Sequence, residues 1–228
     1  MQAAERAEWL RAAWRVMVGG TLEPRRLVFV DEMGTNTSLS PVYAWSRRGE
    51  RARMNVPRNR GPNTTLLASL NLRGMGRCVA VEGATTAPVF LAYVEKVLAP
   101  TLRRGQVVVM DNLSAHKIDR VRELVEERGC ELVYLPPYSP DFNPIEEAFS
   151  KIKGAVRKAE ARTHGALVDA LGEAISAITA GDARGFFEHC GYLTLVRSSW
   201  QMSQVSRGVA GTTFRGREGH MSEHGYKD

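Results

Sequence analysis

Short apolar runs alternate with amphipathic stretches along most of this sequence. Stretches with apolar residues at helical spacing predict helices over 3–18, 87–98, 117–129, 143–156 and 164–179, with a short helix over 182–189. Apolar runs bounded by Gly- and Pro-bearing turns predict strands over 27–31, 42–46, 65–72, 77–83, 106–111 and 131–136. Strands come first and then alternate with helices, so we predict an α/β fold with a mixed sheet flanked by helices.

Apolar periodicity stops near the carboxyl end of the chain. After Trp200 the sequence is rich in Gly, Ser and charged residues, and we predict a disordered tail over 200–228. Residues 1–26 form a lead-in helix and linker in this interpretation, and residues 27–199 form one domain with a substantial core.

Composition narrows the class of protein. Hydrophobic residues make up 43% and charged residues 25% of the chain, which is typical of a globular protein. No apolar run approaches the roughly 18 residues of a membrane span, so no membrane partner is expected. Cys78, Cys130 and Cys190 lack ligand spacing and indicate reduced thiols in a cytoplasmic protein. The net charge of +6 favours an acidic partner, nucleic acid first among them.

The positive charge is concentrated in one segment, residues 46–60. This segment has a single acid, Glu50, and follows Trp45. Guanidinium groups suit phosphate oxygens, so the segment could bind a DNA backbone, but a solvated basic loop explains it equally well. Trp45 could likewise contact DNA or anchor a hairpin in the core. The candidate DNA-binding residues are Trp45, Arg47, Arg48, Arg51, Arg53, Arg58 and Arg60.

Three acids are the candidates for chemistry. Asp31 and Asp111 each close an apolar run, and ligands of open α/β sheets gather at the carboxyl ends of strands. Glu146 stands in the first turn of the helix predicted from Asn143. If that helix packs across the same edge, three carboxylates converge and need a cation to offset their repulsion. Oxygen ligands without His or Cys favour Mg²⁺ or Mn²⁺, and a pair of such ions roughly 3.5–4 Å apart catalyses phosphoryl transfer.

Each acid also has a structural explanation. Asp31 and Asp111 could form turns at strand ends. The start of the helix predicted from Asn143 resembles a capping box, with Asn143 as the cap, Pro144 next and Glu146 three residues after the cap. In a capping box the side chains of Asn143 and Glu146 would bond the backbone at the helix start.

Four blocks together resemble the bacterial insertion-sequence 630 family of transposases, related to the mariner transposases in the DDE superfamily. The second and third catalytic blocks of that family resemble VVVMDNLSAHK (107–117) and LVYLPPYSPDFNPIEEAFSKIK (132–153). FVDEMG (29–34) resembles the first block, and AWSRRGERARM (44–54) resembles the hairpin that follows it. The 34 residues between Asp111 and Glu146 are characteristic of the bacterial branch.

The resemblance implies an RNase H-like fold with a mixed five-stranded sheet and a catalytic domain using Mg²⁺ or Mn²⁺, with two ions. Asp31, Asp111 and Glu146 match the catalytic and metal-binding acids. Glu147 is the rival for the third position, but spacing favours Glu146, and a helix turns the next residue about 100° away. The matched blocks also contain three supporting residues: Asn112, His116 and Asn143.

The implied activity is cleavage at the ends of an insertion element, followed by attack of the freed 3′-hydroxyl on target DNA, typically at TA. The implied partners are DNA and a second copy of the chain, in a homodimer or larger assembly in the bacterial cytoplasm and nucleoid. Full-length relatives carry an N-terminal helix-turn-helix region, and only about 26 residues precede the first strand here. A split reading frame, a truncated copy or a fragment would each explain this. Two alternatives to an active transposase stay open: a non-catalytic DNA-binding remnant that interferes with active copies, and a different metal-dependent nuclease.

Overall fold

The fold is a computed structural model that describes residues 7–41, 43, 45–51, 53, 61–112 and 118–192. Its strands are β1 (Leu27–Thr35), β2 (Thr64–Asn71), β3 (Gly74–Met75), β4 (Val79–Glu82), β5 (Val107–Met110) and β6 (Glu131–Tyr134). Its α-helices are α1 (Glu8–Trp14), α2 (Ala87–Tyr93), α3 (Asp119–Glu126), α4 (Pro144–Ala159), α5 (His164–Ser176) and α6 (Ala180–His189). Single π-helical turns extend α1 to Gly19 and α2 to Leu98.

The six strands form one mixed sheet in the order β3-β2-β1-β5-β6, and β4 also pairs with β2. β1, β5 and β6 are parallel, whereas β2 runs antiparallel to β1 and to both short strands. The predicted mixed sheet is therefore present, but the expected number of five strands is wrong.

The sixth strand arises because the strand that returns along β2 is broken in two. Gly74 and Met75 pair with the end of β2, and the residues from Val79 onward pair with its beginning. Between them the backbone N–H of Gly76 bonds the carbonyl of Ser69, so the chain leaves the regular ladder there. A two-residue strand is too short to give an alternating pattern, which is why only the 77–83 run was predicted.

Helices cover both faces of the sheet. One core lies between the sheet and α4, α5 and α6, with Phe29, Phe149 and Phe187 fully buried in it. A second core packs α2 and α3 on the other face, around Phe90 and Val108. Alternate residues of β1 and β5 point into alternate cores, as the two-residue strand period requires.

The remaining sequence predictions mostly hold. The helices lie within one to five residues of their predicted bounds. The strand predicted over 42–46 falls partly outside the described residues, and Tyr43, Trp45 and Ser46 are not in a strand. The tail over 200–228 lies wholly outside them and stays a prediction. Within the described part of the chain, no helix is long and apolar enough to cross a membrane.

Candidate active site

Asp31 and Asp111 stand side by side at the carboxyl end of two parallel strands. The parallel pairing of β1 with β5 ends at Val30 and Met110, so the next residue on each strand is an aspartate. The expectation that Asp31 ends its strand is wrong, because β1 continues to Thr35. The antiparallel neighbour β2 extends it, and Asp31 pairs with Ala68.

Strand alternation places both aspartates on the face that α4 covers. Phe29 and Val109 lie in the core formed with α4, and Asp31 and Asp111 come two residues after them. Glu146 is in the first turn of α4, whose side chains Ile145, Phe149 and Ile152 are buried in that same core. The apolar stripe of α4 thus seats the helix start over the edge where the aspartates lie.

The three acids line one cavity of about 550 Å³. The loop that joins β6 to α4 forms its other wall, from Leu135 to Pro140. Asn112 and Asn143 also line it. The predicted convergence of Asp31, Asp111 and Glu146 on one cavity is therefore what the structure shows.

The side chain of Asn143 does not cap α4. Asn143 occupies the N-cap position and Pro144 the first helical position, but the Asn143 side chain makes no capping hydrogen bond. Instead its Nδ2 donates to Oδ2 of Asp31 at 2.7 Å. The predicted capping box is wrong, since a local sequence pattern cannot show a hydrogen bond to a residue 112 positions away.

Asn143 and the backbone fix the Asp31 carboxylate. The backbone N–H of Glu32 donates to Oδ1 of Asp31 at 2.7 Å, so both carboxylate oxygens have a donor. An ionised carboxylate only accepts hydrogen bonds, which requires the amide nitrogen of Asn143 to face it. The amide oxygen, Oδ1 of Asn143, is buried and has no hydrogen-bond partner among the described residues.

Glu146 and Glu147 face different surroundings. Glu146 lines the cavity, whereas Glu147 Oε1 lies 3.6 Å from Nε2 of His189 on α6. Desolvation at the cavity raises the pKa of Glu146, the positive charge of Lys153 opposes the rise, and the negative charge of Asp111 adds to it. Repulsion between Glu146 and Asp111 is what a cation in the cavity would relieve.

The cavity offers hard oxygen donors, namely the carboxylates of Asp31, Asp111 and Glu146. Such a donor set fits Mg²⁺ or Mn²⁺ better than zinc. In the described ranges, no three His, Cys, Asp or Glu side chains are grouped so that they could hold one ion. The acids thus share a cavity without forming a complete cage for a single metal.

A buried arginine that the sequence analysis missed holds the cavity loop. Arg11 on α1 is fully buried, and its Nη1 donates to Oγ of Ser139 at 2.7 Å. Its guanidinium also donates to both carboxylate oxygens of Asp141, at 2.5 and 3.0 Å, and lies 4.3 Å from the centre of the Phe142 ring. The hydrogen bond with Asp141 raises the pKa of Arg11, which therefore stays charged.

A second connection joins α1 to the same loop. Nε1 of Trp14 donates to the hydroxyl of Tyr192 at 3.1 Å, and that hydroxyl donates to the carbonyl of Phe142 at 2.6 Å. Helix α1 is therefore fixed to the loop that joins β6 to α4. The only sign of this contact in the sequence was an arginine among the apolar positions of α1.

The predicted DNA-binding residues lie in the chain's basic segment, and none of those that the structure describes lines the acid cavity. Trp45 is fully exposed, so its alternative role as a core anchor is wrong. A turn through Gly49, with a backbone bond from Glu50 to Arg47, presents the exposed side chains. The described arginines there are Arg47, Arg48, Arg51 and Arg53. Arg58, Arg60 and the supporting residue His116 lie outside the described residues.

Comparison with solved structures supports the fold. The Mos1 transposase paired-end complex with left transposon end matches with a TM-score of 0.63 and 18% identity, over 82% of this chain and 57% of that one. A pre-cleavage Mos1 transpososome matches with a TM-score of 0.66 and 16% identity, over 94% and 66%. The catalytic domain of Mos1 mariner transposase matches with a TM-score of 0.54 and 17% identity, over 84% and 88%. The mariner Mos1 paired-end complex was solved with Mg and with Mn.

These matches confirm the predicted fold class, a mixed sheet flanked by helices as in RNase H-like transposase catalytic domains. The chain spans between 57% and 66% of the Mos1 chains in the first two complexes. No curated protein matches the sequence significantly. The family model described as "DDE superfamily endonuclease" matches residues 26–168 of the 228. That is more than half of the chain, which therefore belongs to the DDE superfamily endonuclease family.

Proposed function

We propose that this chain is the catalytic domain of a DNA transposase of the bacterial insertion-sequence 630 type, acting on the ends of its element. The observation that carries the proposal is the cavity at the carboxyl end of β1 and β5, which Asp31, Asp111 and Glu146 line together. Membership of the DDE superfamily endonuclease family adds to it. The DNA partner is proposed from the similar Mos1 structure, a paired-end complex with a transposon end.

We propose that the three acids bind two Mg²⁺ or Mn²⁺ ions. When bound, such a pair supplies Lewis acidity to the attacking and leaving oxygens at phosphorus. Asp31, Asp111 and Glu146 would hold the ions together with phosphate oxygens of bound DNA, so no three-residue cage is needed in the absence of DNA. Asn143 would keep the Asp31 carboxylate fixed while the ions bind.

The two reaction steps use the same cavity in this proposal. Water attacks a phosphodiester at the element end, the bond to the 3′ oxygen breaks, and a 3′-hydroxyl and a 5′-phosphate result. The 3′-hydroxyl then attacks a phosphodiester of target DNA, for which the family resemblance suggests a TA step. A new bond from the 3′ oxygen to phosphorus forms, the bond from that phosphorus to the target's own 3′ oxygen breaks, and a 3′-hydroxyl of the target strand leaves. Two copies of the chain would hold two element ends, as the paired-end Mos1 complexes suggest.

The test is strand cleavage and strand transfer on an element-end duplex with Mn²⁺ present. We expect Asp31→Asn, Asp111→Asn and Glu146→Gln to lose both reactions. The matched control Glu147→Gln changes the adjacent acid, which faces α6, and should keep both. Equal activity in the three variants and the wild type would overturn the proposal.

Two other outcomes identify the alternatives. Cleavage by the wild type without joining of precut ends would indicate a metal-dependent nuclease. Salt-dependent DNA binding without any metal-stimulated reaction would indicate a non-catalytic remnant.

A further inference from the structure

A second cavity, of about 660 Å³, lies at the opposite end of the parallel strands. Residues at the starts of β1 and β5, among them Arg26 and Gln106, line this cavity. The turn after β2 and one residue of α6 complete the lining. Asp111 follows the end of β5, five residues after Gln106, which corresponds to about 17 Å of extended strand. The cavity is therefore separate from the acid cavity.

Arginines dominate this cavity, which we call the arginine groove. It is lined by Arg25, Arg26, Arg73, Arg103, Arg104 and Arg184. Two of the six are paired, Arg25 with Glu23 at 3.7 Å and Arg26 with Glu131 at 3.1 Å. The other four are exposed and have no acid of the described chain within salt-bridge distance. The groove thus carries a local surplus of positive charge.

Hydrogen bonds fix the turns that present these arginines. Arg26 Nε donates to the carbonyl of Gly105 at 2.6 Å, and the Gly105 N–H donates to the carbonyl of Gly129 at 2.8 Å. Oε1 of Gln106 accepts from the N–H of Arg103 at 2.7 Å. In the turn after β2, Oδ1 of Asn71 accepts from the N–H of Arg73 at 2.8 Å. These hydrogen bonds fix the backbone of the turns around one groove, and the exposed guanidinium groups extend from that backbone.

The lining selects phosphate over a base. Guanidinium groups bind phosphate oxygens through charge-assisted hydrogen bonds. No aromatic side chain of the described chain lines the groove, so it lacks the aromatic platform on which nucleobases commonly stack. A phosphate backbone therefore fits this groove better than a free nucleotide does.

We propose that the arginine groove binds the phosphate backbone of a second segment of duplex DNA, distinct from the segment that enters the acid cavity. Because the arginine groove and the acid cavity are lined at opposite ends of the parallel strands, we assign each its own segment of duplex. The choice of DNA among polyanions rests on the proposed function, but the groove itself does not depend on catalysis.

The first test measures binding of a random-sequence duplex in an Asp111→Asn background, which prevents cleavage. The groove variant carries Arg73→Gln, Arg103→Gln, Arg104→Gln and Arg184→Gln. The control variant removes four exposed cations beside α2 and α3: Lys96→Gln, Arg120→Gln, Arg122→Gln and Arg128→Gln. Between roughly 50 and 200 mM KCl, we expect the groove variant to lose about 3 to 4 from the slope of log affinity against log salt. Equal slopes in the groove and control variants would overturn the proposal.

The second test asks whether the groove holds a second segment. Protein bound to an immobilised duplex is offered a labelled duplex in solution. We expect the groove variant to stay on the immobilised DNA and to capture about tenfold less labelled DNA than the control variant, the loss expected when several phosphate contacts are removed. Equal capture contradicts the proposal.

A free nucleotide is the other phosphate-bearing ligand that the arginine groove could bind. ATP binding that the groove variant loses, together with an unchanged DNA salt slope, would assign the groove to a nucleotide and overturn the proposal. Unchanged cleavage in the acid variants, together with a salt slope that the groove variant still lowers, would overturn only the proposed function, so the two failures are distinguishable.

Discussion

The two ends of the parallel strands hold their polar groups in opposite ways. At the acid end, Asp31 and Asn143 are buried and bonded to each other, and Arg11 is buried against the cavity loop. At the arginine end, the unpaired guanidinium groups are exposed and only the backbone beneath them is fixed. Side chains held by hydrogen bonds suit catalysis, which needs the reacting groups in exact positions. Exposed charged side chains suit the binding of a polyanion such as DNA through its overall negative charge. Single substitutions should therefore cost much at the acid end and little at the arginine end.

Apart from the three acids, the largest effect is expected at Asn143, because it holds a carboxylate proposed to bind metal. Asn143→Ala removes a hydrogen bond to a charged group, typically worth about 1.5–3 kcal/mol. At about 1.4 kcal/mol per factor of ten, the rate of strand cleavage should fall about ten- to hundredfold. The measurement is the single-turnover cleavage rate at saturating Mn²⁺ and DNA.

Glu147→Gln is the control for that experiment, since it alters the same helix turn outside the cavity and should leave the rate unchanged. If Asn143→Ala cleaves as fast as this control, the hydrogen bond to Asp31 has no part in the chemistry.

Arg11 should affect stability more than any arginine of the groove. Arg11→Leu leaves Ser139 and Asp141 without their buried donor, and because the Asp141 side chain is half exposed we expect a loss of about 2 kcal/mol. For a chain of this size that lowers Tm by about 4–8 °C. Thermal unfolding followed by circular dichroism measures it.

Arg122→Leu provides the comparison, because Arg122 is exposed, forms an ion pair with Glu126 on its own helix and lies 5.8 Å from the centre of the Tyr134 ring. Its expected effect is below about 1 kcal/mol. Equal Tm values for the two leucine variants would show that α1 does not stabilise the cavity loop.

A smaller effect is expected at the start of α6, the helix that carries Arg184. Thr179 and Asp182 form a capping box there, and Lys151 donates to Asp182 at 2.6 Å. Thr179→Ala should lower the free energy of unfolding by about 1 kcal/mol. Urea unfolding at neutral pH measures the change.

The capping box at the start of α6 should also make the free energy of unfolding depend on pH. The hydrogen bond from Lys151, followed by those from Thr179, lowers the pKa of Asp182 from 3.8 to about 2. A lowered pKa in the folded state stabilises the protein above the ordinary pKa, and that contribution is lost as pH falls toward 2. The stability difference between wild type and Asp182→Asn should thus be full above pH 3.8 and shrink below it. Asp169→Asn, which changes an exposed acid on α5, should show no such trend.

Local patterns in the sequence were sufficient to predict the acid end in outline. Two apolar runs that close on Asp31 and Asp111 indicated the carboxyl edge of a sheet, and the first turn of a predicted helix supplied Glu146. Asn143 was misjudged because its cap position is a local property, while its partner Asp31 lies 112 residues away. Arg11 was missed for the same reason, since Asp141 is 130 residues away.

The arginine end could not be predicted, because its residues come from four distant parts of the chain. The run of arginines within 46–60 attracted the DNA-binding prediction, whereas residues 25–26, 73, 103–104 and 184 carry no local signal. Only the register of the sheet and the packing of α6 bring them to one groove.

The most direct test of the central claim is a calorimetric titration of Mn²⁺ into the protein with bound element-end DNA, beside Asp111→Asn under the same conditions. The account predicts saturable Mn²⁺ binding in the wild type that Asp111→Asn abolishes. Equal Mn²⁺ binding by both proteins would contradict it, since Asp111 would then hold no metal.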